Sequence, residues 1–106
     1  MYAVSEGMKQ INGVVVDTFS RGVERGGTAF EAEAGTTGFC KEARGYVRVT
    51  AKAGDFFARV AKDDAGKPKG VEIAVSGCAE LLALMESLEF AVRALMETCE
   101  EKEIED

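Results

Sequence analysis

The most nucleophilic side chains in this 106-residue chain are three cysteines, Cys40, Cys78 and Cys99. A cysteine nucleophile needs a neighbouring base, and the chain has no histidine to supply an imidazole. Cys78 falls at the start of a predicted helix, where a thiolate is favoured. With no base assigned to it, the simpler expectation is a small apolar filler. The odd count, the wide spacing and the lack of a Cys-x-x-Cys pair predict neither a disulfide frame nor a zinc site. Free thiols in a reducing cytoplasm are the expectation. Arg25-Gly26-Gly27-Thr28 and Gly35-Thr36-Thr37-Gly38 are glycine-rich but lack the lysine of a phosphate-binding loop, so they read as turns. Glu100, Glu101, Glu103, Glu105 and Asp106 crowd a flexible end, which makes a poor cation cage. The chemistry therefore predicts no enzyme, no metal and no cofactor.

Two constellations point to binding. Tyr46, Arg48, Lys52, Phe57 and Arg59 interleave aromatics with cations, as single-stranded nucleic-acid surfaces do. Glu31, Glu33 and Glu72 fall on the same predicted face and would pair with those cations across strands. A net charge of −6 also weakens attraction for phosphate. The second constellation is acidic. Residues 71–106 carry ten negative and two positive side chains. Glu86, Glu89, Glu97 and Glu100 among them are candidates for contacting a basic protein or ribonucleoprotein.

The elements that must position these residues follow from periodicity. Strands are predicted over 13–19, 28–34, 46–50, 55–62 and 70–75, the clearest being Phe30, Ala32 and Ala34 alternating with Glu31 and Glu33. Val71, Ile73 and Val75 are expected to point inward. Short connections favour an antiparallel meander of four or five strands. After Ser76, a predicted N-cap, a helix free of Gly and Pro runs from Cys78 to about Glu101. Residues 102–106 read as a frayed acidic tail. The expected architecture is a single α+β domain over 1–106, with one long helix on one face of the sheet.

Around that helix Leu81, Leu84, Met85, Leu88, Val92, Leu95, Met96 and Cys99 form one apolar stripe, the predicted core face. Ala79, Ala83, Phe90 and Ala94 form a second, narrower row. A surface helix on a single sheet should be polar there, so this row predicts self-association, most simply as a homodimer. No apolar run approaches the roughly 20 residues of a bilayer span, and none resembles a secretory signal, so no membrane partner is expected.

Two resemblances carry further expectations. Gly45-Tyr46-Val47-Arg48-Val49, the loop Lys67-Pro68-Lys69-Gly70 and the helical Leu88-Glu89-Phe90-Ala91-Val92-Arg93 follow the order seen in the single-stranded-DNA-binding transcriptional coactivator family. There a curved sheet precedes one dimerising helix, and this layout resembles it over about half the chain. Phe30-Glu31-Ala32-Glu33-Ala34-Gly35-Thr36-Thr37-Gly38-Phe39-Cys40, Val71-Glu72-Ile73, Glu80-Leu81 and Leu88-Glu89-Phe90-Ala91-Val92 are similar to segments of a set of uncharacterised small proteins of bacteria and mobile elements. In that set Gly-Gly-Asp follows the cysteine and precedes the helix. Here those places hold Lys41-Glu42-Ala43 and Ser76-Gly77-Cys78. This resemblance implies a mobile-element or phage-type setting and no activity.

Together these readings predict a non-catalytic, cytoplasmic, homodimeric protein that inhibits or regulates a host complex by stoichiometric binding. The alternatives are a single-stranded nucleic-acid module and a small-ligand-sequestering protein.

Overall fold

The computed structural model describes residues 4–38 and 42–105, with side chains described as far as Glu100. Six strands precede one helix: β1 (Val4–Ile11), β2 (Val14–Arg25), β3 (Thr28–Thr36), β4 (Gly45–Ala53), β5 (Phe57–Lys62), β6 (Pro68–Ala74) and α1 (Cys78–Glu105). β1 to β4 pair in chain order as an antiparallel sheet, while β5 and β6 pair only with each other. The long helix lies on one face of the four-stranded sheet, so the molecule is α+β as the sequence predicts. Residues 102–105, expected to fray, continue the helical backbone.

β1 is the strand that periodicity misses, because Val4-Ser5-Glu6-Gly7 carries little apolar alternation. Its partner is specified by the turn. Asn12 and Gly13 sit at φ +50° and +81°, the paired left-handed conformation that closes a two-residue hairpin. Gly26 and Gly27 make the equally short β2–β3 turn, with Arg25 opposite Thr28. Gly35 answers a different need. A side chain there would strike the Asp17 carbonyl oxygen on β2.

Register decides which side chains meet the helix. Val23 stands opposite Phe30, and Phe30 opposite Ala51 on β4. Phe30 is buried with Val23 and Ala83, and its ring meets Phe56 edge-on at 5.5 Å between centroids. Ala34 forms a second cluster with Ala91 and Ala94. The helix face in contact is thus Ala83, Ser87, Ala91 and Ala94, all buried. Ser87 satisfies its hydroxyl by donating to the Ala83 carbonyl oxygen at 2.8 Å.

This orientation overturns the expected core stripe. Leu81, Met85, Leu88, Val92 and Met96 are 43–58% exposed, while Leu84 lies half-buried against the Phe30 cluster and Leu95 against the Ala34 cluster. It equally overturns the expected surface row. Ala83 and Ala94 are buried, Ala79 is half-buried, and Phe90 packs against the Ala34 cluster. The physical reason is size. Small residues on both the helix and β3 let the two backbones approach closely, and the bulk in the layer comes instead from Phe30 and Val23 of the sheet and from Phe56 ahead of β5.

The hairpin β5–β6 corrects a second expectation. It contacts neither the sheet nor the helix along its length among the described residues. Only its root is anchored, by Phe56 and Val75 packing into the Phe30 cluster. Val71 and Ile73, expected inward, are exposed. The chain as a whole is a slab of 44 × 43 × 18 Å with this arm attached.

Enlarging Ala83 tests the helix orientation. Ala83→Leu inserts bulk beside Phe30 and should destabilise by ~1–3 kcal/mol in urea unfolding. An unchanged midpoint would place Ala83 outside the core.

Candidate interaction surfaces

Helical geometry divides α1 into three sectors. The small residues face the sheet. Next round the helix runs the exposed apolar stripe of Leu81, Met85, Leu88, Val92 and Met96. The third sector carries Glu86, Glu89, Arg93, Glu97 and Glu100, nearest β2.

The four predicted partner-binding carboxylates do share this flank, but they are not equivalent. Glu86 accepts two hydrogen bonds from Arg25 on β2, at 2.6 and 2.8 Å. The Arg25 hydrogen bond, reinforced by the charges of Arg25 and Arg21, holds the Glu86 carboxyl below its ordinary pKa against a smaller effect of burial. Glu86 therefore ties helix to sheet and is removed from the set presented outward. Glu89, Glu97 and Glu100 are exposed.

The predicted nucleic-acid residues separate onto two sheets. Tyr46, Arg48 and Lys52 lie on β4, whereas Phe57 and Arg59 lie on the arm. On β4 each cation meets a carboxylate of β3, Arg48 with Glu33 at 3.2 Å and Lys52 with Glu31 at 3.6 Å. Arg59 meets Glu72 across the arm at 2.6 Å. Tyr46 has the Lys9 ammonium 5.8 Å above its ring, which joins the outer strands β1 and β4 across the face away from the helix. On that face Val16 and Thr18 are fully buried, and Thr18 donates to Glu33 at 2.6 Å. The curl of the sheet therefore closes a small second core that alternation alone did not reveal.

The arm's own faces differ. Ala58 stands opposite Ile73, and Val60 opposite Val71, giving one apolar face. Phe57, Arg59 and Glu72 belong to the other. Glu80 fixes the arm's root to the start of α1. Its carboxylate accepts from the Asp55 backbone N–H at 3.4 Å, and hydrogen bonds from its own backbone N–H, from Asp55 and from the Thr28 hydroxyl hold its pKa below the ordinary value. The first helical hydrogen bond runs from Leu81 N–H to the Gly77 carbonyl, which puts the cap at Gly77 and not at Ser76.

Beside the acidic flank a groove of about 410 Å³ opens between α1 and β2, lined by Phe19, Arg21, Phe90, Arg93 and Glu97. Its size suits a small ligand. Among the described residues no three carboxylates or thiols gather in a metal-ligating group. Cys78 is exposed and Cys99 half-buried, both on α1, while Cys40 lies outside the described residues. No helix of the described residues is long and apolar enough to cross a membrane. Comparison with protein-family models, curated proteins and solved structures returns no match.

The Arg25–Glu86 pair and the Glu80 carboxylate at the arm's root predict an acid-sensitive fold. A carboxylate with a lowered folded pKa contributes full stability above its unfolded value and loses it as pH falls through the lowered one. Thermal unfolding between pH 7 and pH 3 should show wild type losing more stability than Glu86→Gln. Parallel curves would mean the pair contributes nothing.

Proposed function

We propose that this chain is a non-catalytic binding protein that acts by occupying a macromolecular partner, as a mobile-element or phage-type inhibitor or regulator would. The observation that carries this reading is the outer flank of α1, where Glu89, Glu97 and Glu100 stand exposed on a rigid scaffold. Backbone hydrogen bonds hold these carboxylates in a row, so a basic surface can meet them without ordering a loop first. Charge of this kind sets encounter rate and partner choice more than raw affinity.

The nucleic-acid reading is weaker on this geometry. Arg48, Lys52 and Arg59 each have a carboxylate within 4 Å, and the aromatics Tyr46 and Phe57 sit on different sheets. The groove beside Phe19 and Phe90 keeps a small-ligand role as the further alternative, with Arg21 and Arg93 as its cationic walls.

A basic protein or ribonucleoprotein retained from host lysate at modest salt supplies the assay. Glu89→Lys/Glu97→Lys/Glu100→Lys should weaken its binding at least about tenfold, and added salt should weaken wild type likewise. Equal affinity of the triple variant would contradict the acidic contact. A single-stranded oligonucleotide shift lost in Arg48→Glu/Arg59→Glu would transfer the function to the sheet.

A further inference from the structure

The largest surface left unexplained is apolar, and it is independent of the acidic flank. At 11.3 kDa a compact monomer exposes roughly 5,700 Å², whereas this chain exposes 7415 Å². Its radius of gyration is 15.1 Å against roughly 13 Å for a compact chain of this length. The excess is about twice the ~800 Å² that each partner buries in a standard interface. Much of it is aliphatic. Leu81, Met85, Leu88, Val92 and Met96 on α1 and Val60, Val71 and Ile73 on the arm are all at least 36% exposed.

Two features say what kind of surface covers the stripe. The first is spacing. Leu81, Met85, Leu88, Val92, Leu95 and Cys99 advance by four, three, four, three and four residues. That alternation is the seam of one helix packed along another. Leu81, Met85, Leu88 and Val92 are its exposed positions, while Leu95 and Cys99 are half-buried, Leu95 against the Ala34 cluster of its own chain. The second is the arm. An isolated two-stranded hairpin is marginal in water, yet β5–β6 stands away from its own sheet and presents Ala58, Val60, Val71 and Ile73 on one face. A seam lacking charged residues, with its carboxylates confined to one flank, has the composition of a permanent interface between like chains.

We infer that the occupant is a second copy of this chain. The two α1 seams pack antiparallel about a two-fold axis near Leu88, and each arm closes its apolar face over the partner. Leu81 and Met85 of one copy then face the partner's Val92 and Met96. The antiparallel choice sets each helix's positive end beside the other's negative end. It also brings Leu82, exposed on the seam's edge, toward the partner's Met96. The residues that self-associate are therefore Leu81, Met85, Leu88 and Val92, in place of the alanine row.

The native cysteines report the arrangement. Cys78 and Cys99 lie at opposite ends of the seam, so antiparallel packing brings Cys78 near the partner's Cys99 and leaves like cysteines about 30 Å apart. In full-length protein carrying Cys40→Ser, a short bis-maleimide should give a covalent dimer. Adding either Cys78→Ser or Cys99→Ser should abolish it. A cross-link that survives in the single-cysteine variants would overturn the antiparallel pairing. Sedimentation equilibrium should give a dimer, and Leu88→Lys should raise its dissociation constant at least a hundredfold, since a lysine there is buried without a partner. A monomeric wild type, or a dimer indifferent to Leu88→Lys, would overturn the proposal. Should Leu88→Lys fail to fold, the cross-linking pattern of the near-native chain still decides. Neither result depends on the acidic contact, which the lysate assay tests separately.

Discussion

The contact on which the rest depends is the close approach of a small-residue helix face to the sheet. Ala83, Ser87, Ala91 and Ala94 present almost no side-chain volume to β2 and β3. Attraction between packed atoms falls steeply with distance, so a helix bearing alanines gains contact only by moving its backbone in. Phe30 and Phe56 then fill the deeper end of the layer, edge to face. Once that face is fixed, helical geometry leaves no freedom. The leucines, methionines and valine on the adjoining sector must point away from the sheet.

Charge is arranged to hold this geometry. Arg25 and Glu86 clamp the helix to β2 on the side opposite the apolar stripe. Glu80 ties the first turn of the helix to Thr28 and to the root of the arm. Arg48 and Arg59 are matched by carboxylates directly opposite, Glu33 and Glu72, and Lys52 by Glu31 on the diagonal. The exposed pairs Lys52–Glu31 and Arg59–Glu72 contribute little stability each, but with Arg48 and the buried Glu33 they favour this strand register. On the helix, what stays outward is the acid of one flank and the hydrocarbon beside it.

Much of this was legible in the residues. The alternation of Phe30, Ala32 and Ala34 with Glu31 and Glu33 assigns β3 and its helix-facing side, while the other side, read as wet, is buried at Glu33; the change of period after Ser76 locates the helix. Opposite charges at Arg48 and Glu33, or Arg59 and Glu72, announced the cross-strand pairs. β1 escaped because its apolar content is low, although Asn12-Gly13 is a strong hairpin signal. Bulk is a poor guide to the buried face of this helix. Assigning the bulkiest stripe to the core assumes that large side chains meet the sheet, whereas the buried face is Ala83, Ser87, Ala91 and Ala94. The same assumption places Val71 and Ile73 inward, although both are exposed.

The central claim is that the bulky stripe of α1 is excluded from its own sheet. An isotope-filtered NOE experiment on a mixture of labelled and unlabelled chains tests it most directly. The account predicts contacts within one chain from the Ala83 methyl to Phe30 and from the Ala91 methyl to Ala34, and contacts between chains from the Met85 and Leu88 methyls to Val92. Methyls of Leu88 and Val92 contacting Phe30 of the same chain would contradict it.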